Sequence, residues 1–472
     1  MNTRALTLLF AASVAPTIAQ AAERPNIVLV MADDQGWGDM AYQGHPVLKT
    51  PNFDQAAAAG LRFDRFYAAA PVCSPTRASV MTGRHPNRMG VFQWGFPMRP
   101  QETTLAEALK TVGYTTGHFG KWHLGSVRTQ SPANPGKNGF DEWLSAPNFF
   151  DNDPILSRRG EATPTTGESS TVTVDAALDW IEKRSKDKQP FLAVVWFGSP
   201  HLPHQAIEAD RALYDDQPKA LQHLYGEITG MDRAFGKLRS GLQRLGIREN
   251  TIFWYCSDNG ALPRGGSAGN HRGFKGEIYE GGLLVPAILE WPAKIPQPRS
   301  TTMRAATCDI YPTLLQITGV TVPHQPALDG ISLLPLIQGA DQQRDRPLGF
   351  WEYPIPGIRT PSAEWMAELL DAQQQGRDLP PYEASQRAAE LPDPAYPDNQ
   401  FPGHSAWING DWKLHRIANK KGEITWELYD LANDPAEKND LFATEPQRAE
   451  AMNARLEEWL KSVVHSLNGG DY

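Results

Sequence analysis

Short, fully apolar runs alternate along this chain with amphipathic stretches, and the spacing predicts an α/β protein. Asn26–Met31 (NIVLVM), Phe191–Phe197 (FLAVVWF) and Thr251–Cys256 (TIFWYC) are strand-length runs rich in β-branched and aromatic residues. Continuous rather than alternating hydrophobicity predicts strands covered on both faces. Tyr114–Phe119 is a further strand, leading into Gly120-Lys121-Trp122-His123-Leu124-Gly125. Helix signals lie between these runs. Thr50-Pro51 opens a helix that Gly60 closes, and Thr104 with Glu107 forms a capping box for one ending near Gly113. Ser74 as N-cap and Pro75 as first helical residue predict a helix from Pro75 to about Thr82, stopped by Gly83. Strand, crossover helix, strand is the pattern of a large mixed, mostly parallel sheet sandwiched by helices.

The texture changes after about Leu348. Residues 351–403 are rich in proline and carry two short helical patterns, at 362–374 and 382–391. Short β-like segments follow at Ser405–Ile408, Trp412–His415 and Trp426–Leu431, then an amphipathic helix from near Thr444 to about Val464. This predicts an α/β domain over 22–348 and a smaller C-terminal α+β subdomain with a Pro-rich insertion over 349–472. No internal repeat is present.

Composition adds three constraints. Gly (40) and Pro (39) in 472 residues mean many ordered loops, short of a low-complexity chain. A net charge of −9 gives no basic footprint, so no nucleic-acid partner is expected, and an anionic substrate needs a locally positive site. Met1–Arg4, the apolar run from Ala5 to about Val14 and Ala19-Gln20-Ala21 read as a signal peptide over 1–21. The run is too short for a membrane anchor, and the mature chain is expected to be periplasmic or secreted. Three cysteines exclude a disulfide scaffold. Cys256 and Cys308 sit in apolar contexts and read as buried small hydrophobes. Cys73 lies in a polar, Pro-bounded turn and stands apart.

The suggestive polar groups fall just after strands: Asp33-Asp34, His201 and Asp258-Asn259. In open α/β sheets ligands bind beyond the carboxyl ends of the strands, so these groups can converge in one crevice. Carboxylates with an amide oxygen and no clustered Cys or His suit a hard cation such as calcium or magnesium. Taken singly, each pair is also what a capped turn looks like. Cys73 at a helix N-terminus reads either as a structural cysteine or as a thiol of lowered pKa.

Cys73-Ser74-Pro75-Thr76-Arg77 followed by Met81-Thr82-Gly83-Arg84 resembles the signature of the type I sulfatase family, which has an alkaline phosphatase-like fold. Further matches follow in that family's order: Asn26–Asp34, Thr50–Asp54, Gly120–Gly125, Ser199-Pro200-His201, Ser257–Gly260, Lys275 with Glu280-Gly281-Gly282, and Leu428–Leu431 with Asp434-Pro435. The resemblance implies that Cys73 is oxidised to formylglycine by a formylglycine-generating enzyme or an anaerobic maturase. It implies one calcium ion held by Asp33, Asp34, Asp258 and Asn259 together with residue 73. The hydrated aldehyde would attack sulfur, with Arg77 fixing it. Lys121, Lys275 and His201 would bind sulfate, His201 would protonate the leaving alcohol, and His123 would take the proton whose loss expels sulfate.

One departure is visible: the family usually has an Arg two residues after the second Gly of Glu-Gly-Gly, and this chain has Leu284. The expected substrate is a carbohydrate sulfate ester, from a glycosaminoglycan or an algal polysaccharide. His404, and His271 with Arg272, are candidate sugar-binding residues, and the loops at 92–96 and 146–159 are candidate substrate walls. Rival readings are a phosphate or phosphonate monoester hydrolase on the same scaffold, a non-catalytic binder of sulfated glycans, and a cysteine hydrolase. The last leaves the two strand-end acidic pairs unexplained.

Overall fold

The computed structural model describes residues 24–340, 343–380 and 390–472. The expected leader (1–21) and most of the expected helix at 382–391 lie outside the described residues. In chain order the strands of the large sheet are β1 (Asn26–Ala32), β2 (Leu61–Tyr67), β3 (Thr115–Lys121), β4 (Glu142–Ala146), β5 (Ile155–Arg158), β6 (Glu161–Pro164), β7 (Phe191–Trp196), β8 (Thr251–Ser257), β9 (Leu284–Glu290), β10 (Arg299–Thr301) and β11 (Ala305–Ala306). Their order in space is β10-β2-β9-β8-β1-β7-β3-β4-β5-β6, with β11 beside β2.

The centre is parallel. β1 lies between β8 and β7, and β3 pairs with β7 and β4 in the same sense. β9 runs antiparallel to both β8 and β2. The strand period sorts β1 between two cores. Ile27, Leu29 and Met31 face the side packed by Ala78, Met81, Leu105 and Leu314. Val28, Val30 and Ala32 face the side packed by Phe53, Val174, Ala177, Met231 and Phe235. Helices Ser169–Lys186 and Lys219–Arg244 supply most of that second cover. With both faces covered, the central strands carry no polar alternation.

The capping box at Thr104 and Glu107 is present and opens helix Leu105–Lys110. The helix expected from Pro75 starts two residues earlier, at Cys73, with extended Val72 before it, and ends at Gly83, whose φ is 71°. Ser74 does not cap it. Its Oγ accepts the Gly95 N–H at 2.9 Å instead.

The second sheet is antiparallel: β12 (Leu348–Glu352), β13 (Gly403–Asn409), β14 (Trp412–Ala418) and β15 (Ile424–Asp430), covered by helix Pro446–Leu467. Its first strand begins at Leu348, beside the expected domain boundary. The insertion does not stay with this sheet. Helix Ser362–Gln374 lies on the far edge of the large one, where Gln373 Oε1 accepts the Ala162 N–H at 2.9 Å.

Candidate active site

Parallel pairing brings the carboxyl ends of β1, β3, β7 and β8 to one side of the sheet. Each strand delivers its polar group there: Asp33-Asp34 after β1, Lys121 and His123 at and after β3, His201 after β7, and Asp258-Asn259 after β8. Helix Cys73–Thr82 enters the same space by its N-terminus, where free N–H groups and the helix dipole favour negative charge.

The carboxylates and cations interlock. Arg77 donates through Nε (3.1 Å) and a terminal nitrogen (2.7 Å) to Asp258 Oδ2, and through the other terminal nitrogen to the Lys121 carbonyl at 3.1 Å. Lys121 Nζ lies 2.7 Å from Asp33 Oδ2, and Lys275 Nζ lies 2.7 Å from Asp34 Oδ2. The Asp34 N–H donates to Asp258 Oδ1, and Asn259 Nδ2 donates to Asp34 Oδ1, both at 3.0 Å. His201 Nε2 is 3.7 Å from Asp34 Oδ2. Asp33, Asp34, Arg77, Lys121, Asp258 and Asn259 are all buried. Three carboxylates therefore face three fixed cations.

Local backbone geometry serves the cluster. Asp34 and His123 both adopt positive φ (71° and 55°), an unfavourable region for residues with a Cβ that the surrounding contacts enforce. Gly120 has φ 99°, and a Cβ there would lie 1.9 Å from the Trp196 carbonyl oxygen, so the Gly-Lys-Trp-His turn packs against β7 only as glycine.

The charge states follow from burial and neighbours. Burial raises the Asp33 carboxyl, against the pull of Lys121. Burial also acts upward on Asp34, but Lys275, His201 and Lys121 together hold it well below the usual carboxylate range. Burial opposes the Lys275 charge, yet Asp34 holds its pKa above normal. Burial pushes the Cys73 thiol up, despite Lys121 and Lys275. An unmodified Cys73 is thus a neutral thiol, the opposite of what a cysteine hydrolase needs. Burial takes His201 down to about 3 and, with Lys121 and Arg77, holds His123 far below its ordinary value.

The donor set fits a hard divalent cation. Asp33 Oδ1 and Asn259 Oδ1 are buried acceptor atoms without a hydrogen-bond partner among the described residues. Ligand atoms of Asp33, Asp34 and His201 lie within 4.8 Å of one another. Carboxylate and amide oxygens from two adjacent strand ends are the chemistry of a calcium or magnesium site.

Other residues lie elsewhere. Arg272 stacks 3.7 Å over Tyr279 and bonds to Tyr429 (3.0 Å) and Glu427 (3.3 Å). His404 Nε2 meets His415 Nδ1 at 2.8 Å, and His271 Nδ1 approaches the Pro435 carbonyl at 2.9 Å. Among the described residues no hydrogen bond or ion pair links these three side chains to the Cys73 cluster; their partners lie in the seam between the two sheets. Leu284 is buried in the same seam among Tyr67, Ile278, Phe350 and Tyr429. The cation on Glu280 is instead Lys413 of β14, at 2.8 Å, which also lies 3.0 Å from Glu437. Lys413→Met should therefore cost about 3–5 kcal/mol by stranding two buried carboxylates. An unfolding midpoint unchanged from wild type would contradict this.

Two further neighbours stand at His123, Thr360 and, from the loop expected to wall the substrate, Asn148. Thr360 Oγ1 is 3.1 Å from His123 Nε2, and Asn148 Nδ2 donates to the Thr360 carbonyl and hydroxyl at 3.1 and 3.0 Å. Thr360 comes from the Pro-rich insertion, where no periodicity or motif marks it.

Fold and site together define a hydrolase of anionic esters with alkaline phosphatase-like architecture. A family model described as Sulfatase matches residues 25–320. The chain is 34% identical over 392 residues to the N-acetylgalactosamine-6-sulfatase of Canis lupus familiaris, covering 74% of this chain and 72% of that protein. It is 31% identical over 372 residues to an ulvan-active sulfatase of Formosa agariphila, covering 72% and 70%. The crystal structure of Ps i-CgsB in complex with k-i-k-neocarrahexaose superposes with a TM-score of 0.77 at 24% identity, covering 93% of each chain. The chain belongs to the sulfatase family and is a sulfuric ester hydrolase.

Proposed function

We propose that this protein hydrolyses a sulfate monoester of a carbohydrate, on a sulfated polysaccharide or a glycosaminoglycan oligosaccharide, and releases inorganic sulfate. The observation that carries the reading is the ring of buried Arg77 and Lys121 and half-buried Lys275 interlocked with Asp33, Asp34 and Asp258 at the N-terminus of the Cys73 helix. The relatives named above act on sulfated sugars by their names, which supports the substrate class. Export to the periplasm or the medium is part of the proposal, and no helix among the described residues is long and apolar enough to cross a membrane.

Asp33, Asp34, Asp258 and Asn259, with residue 73, would hold a calcium ion, which when bound supplies Lewis-acid polarisation of a sulfate oxygen. Oxidation of Cys73 to formylglycine by a maturation enzyme would supply an oxygen nucleophile that the neutral thiol does not. The chain's own residues account for the rest. Arg77, one helical turn beyond Cys73, would fix the hydrated residue 73. Lys121 and Lys275 bind sulfate oxygens and offset the charge that grows on them in the transition state. His201 Nδ1 donates to the Leu202 carbonyl at 2.5 Å, so Nε2 is the ring nitrogen that would carry the proton for the leaving alcohol once the ring is protonated. A bound sulfate anion raises its pKa from the depressed value of the free site. His123 Nδ1 is buried and unpartnered, free to take a proton at residue 73, while Thr360 fixes its Nε2.

The test is peptide mass spectrometry of the Cys73 segment from protein made with a maturase, beside a free-sulfate assay on a panel of sulfated oligosaccharides. Aldehyde at residue 73 with sulfate release from sugars is the expected result. Aldehyde with release from phosphonate esters alone would move the reading to the phosphonate hydrolase. An unmodified thiol despite an active maturase would favour a binding protein.

A further inference from the structure

Beside His201 the surface opens into a groove of about 600 Å³. Phe149 joins it to the active site, its ring stacked on that of His201 at 4.2 Å and 14°. The groove therefore begins where the leaving alcohol would depart. Its apolar lining includes Phe149, Ile155, Pro203 and Pro361. Its polar lining includes Asp151, Asn152, Asp153, Gln205 and Glu364, and no lining side chain is cationic. Glu364 is paired with Arg359 at 3.1 Å on the rim, whereas no ion pair found among the described residues involves Asp151 or Asp153. Asp153 Oδ1 accepts the Gly167 N–H at 2.8 Å, which leaves its charge in place and its other oxygen uncommitted.

Flat apolar faces beside acceptor and amide groups match a sugar ring, which offers C–H faces and hydroxyl donors. The sign of the charge narrows this further. Beyond His201 and Phe149 the charged groups that line the groove are all carboxylates. A hydroxyl donates to these carboxylates; a second sulfate or a uronate carboxylate is repelled by them. We propose that this groove is a subsite for an uncharged sugar unit adjoining the sulfated one, and that Asp151 and Asp153 select against substrates whose adjoining unit is anionic. The inference rests on the carbohydrate-sulfatase reading above.

Matched disaccharide pairs test it. Each pair shares one sulfated galactose, N-acetylgalactosamine or N-acetylglucosamine unit and differs only in whether the second unit carries a sulfate. Sulfate release is followed at low and high salt, with 4-nitrophenyl sulfate as a reporter that lacks a second sugar. For the pairs that are turned over, kcat/KM should favour the neutral member by about 10-fold at low salt, and less at high salt as the charges are screened. In Asp151→Asn/Asp153→Asn the ratio should fall toward one; asparagine tolerates the positive φ (53°) of position 153. A ratio near one in the wild type, or one unchanged in the double variant, overturns the subsite and leaves the sulfatase reading standing. Release from 4-nitrophenyl sulfate without release from any sugar overturns the carbohydrate reading and the subsite together.

Discussion

Cys73→Ala should abolish sulfate release, lowering kcat by at least about 10⁴-fold, the scale seen when a covalent nucleophile is removed. The fold should survive. Cys73 is buried, none of the hydrogen bonds found among the described residues involves its side chain, and removing one sulfur atom from a packed site costs about 1 kcal/mol. The more decisive companion is wild-type protein made without a maturase. Its Cys73 thiol is intact, yet burial keeps it neutral, so it should be as inactive as the alanine variant. A cysteine hydrolase predicts the reverse, full activity in the unmodified protein. Cys73→Ser should also fail, because a single hydroxyl leaves no second oxygen from which His123 can take the proton that expels sulfate. Turnover by either variant at wild-type rates would sink the assignment of residue 73.

How much of this was readable in the sequence depends on what each residue is tied to. The central strands were legible because a strand covered on both faces needs an unbroken apolar run, and NIVLVM, FLAVVWF and TIFWYC leave no other reading. The polar pairs after them were legible for the same reason: the hydrophobic run ends where the crevice begins. Their mutual contact was not. Asp34 and Asp258 are 224 residues apart, and only the order β8-β1-β7 makes them neighbours. The Cys73 helix shows a local rule losing to a tertiary contact. Ser-Pro is a sound helix opening, but the Ser74 hydroxyl is taken by Gly95, and the helix begins at Cys73 instead. That shift puts residue 73 in the first turn, where the helix dipole acts on it. Thr360 and the Lys413–Glu280 pair left no trace in the sequence, since a polar side chain meeting a distant partner produces no period, whereas Asn148 lies in the 146–159 loop that the sequence marked as a substrate wall. The partners of His404 and Arg272 in the second sheet were likewise not legible.

The second large effect is expected from Asp258→Asn, and it should be double. The Asp258 carboxylate is proposed to hold the cation, and it is also the main partner of Arg77, taking two of its hydrogen bonds on Oδ2 while Oδ1 holds the Asp34 backbone. Without that charge, the nearest carboxylate oxygen left to Arg77 is Asp33 Oδ1 at 3.6 Å. Breaking a buried pair on one side costs about 3–5 kcal/mol, so the denaturation midpoint should fall. Metal content should fall with it, and activity by more than the about 10–100-fold typical of losing an outer partner of a metal site. Chelation of the wild type separates the two effects. It should remove activity that added calcium restores, whereas calcium at the same level should not restore Asp258→Asn. Retained metal in a destabilised, inactive variant would strike Asp258 from the ligand set and leave it as the anchor of Arg77. The charge count explains why one carboxylate has both tasks. Three carboxylates already balance Arg77, Lys121 and Lys275, so a divalent cation makes the pocket positive by two. That excess is what a sulfate ester and an ionised oxygen at residue 73 together would neutralise. Removing the Asp258 charge shifts the balance by one unit before any substrate arrives, and a pocket that repels its own cation loses the means to activate the ester.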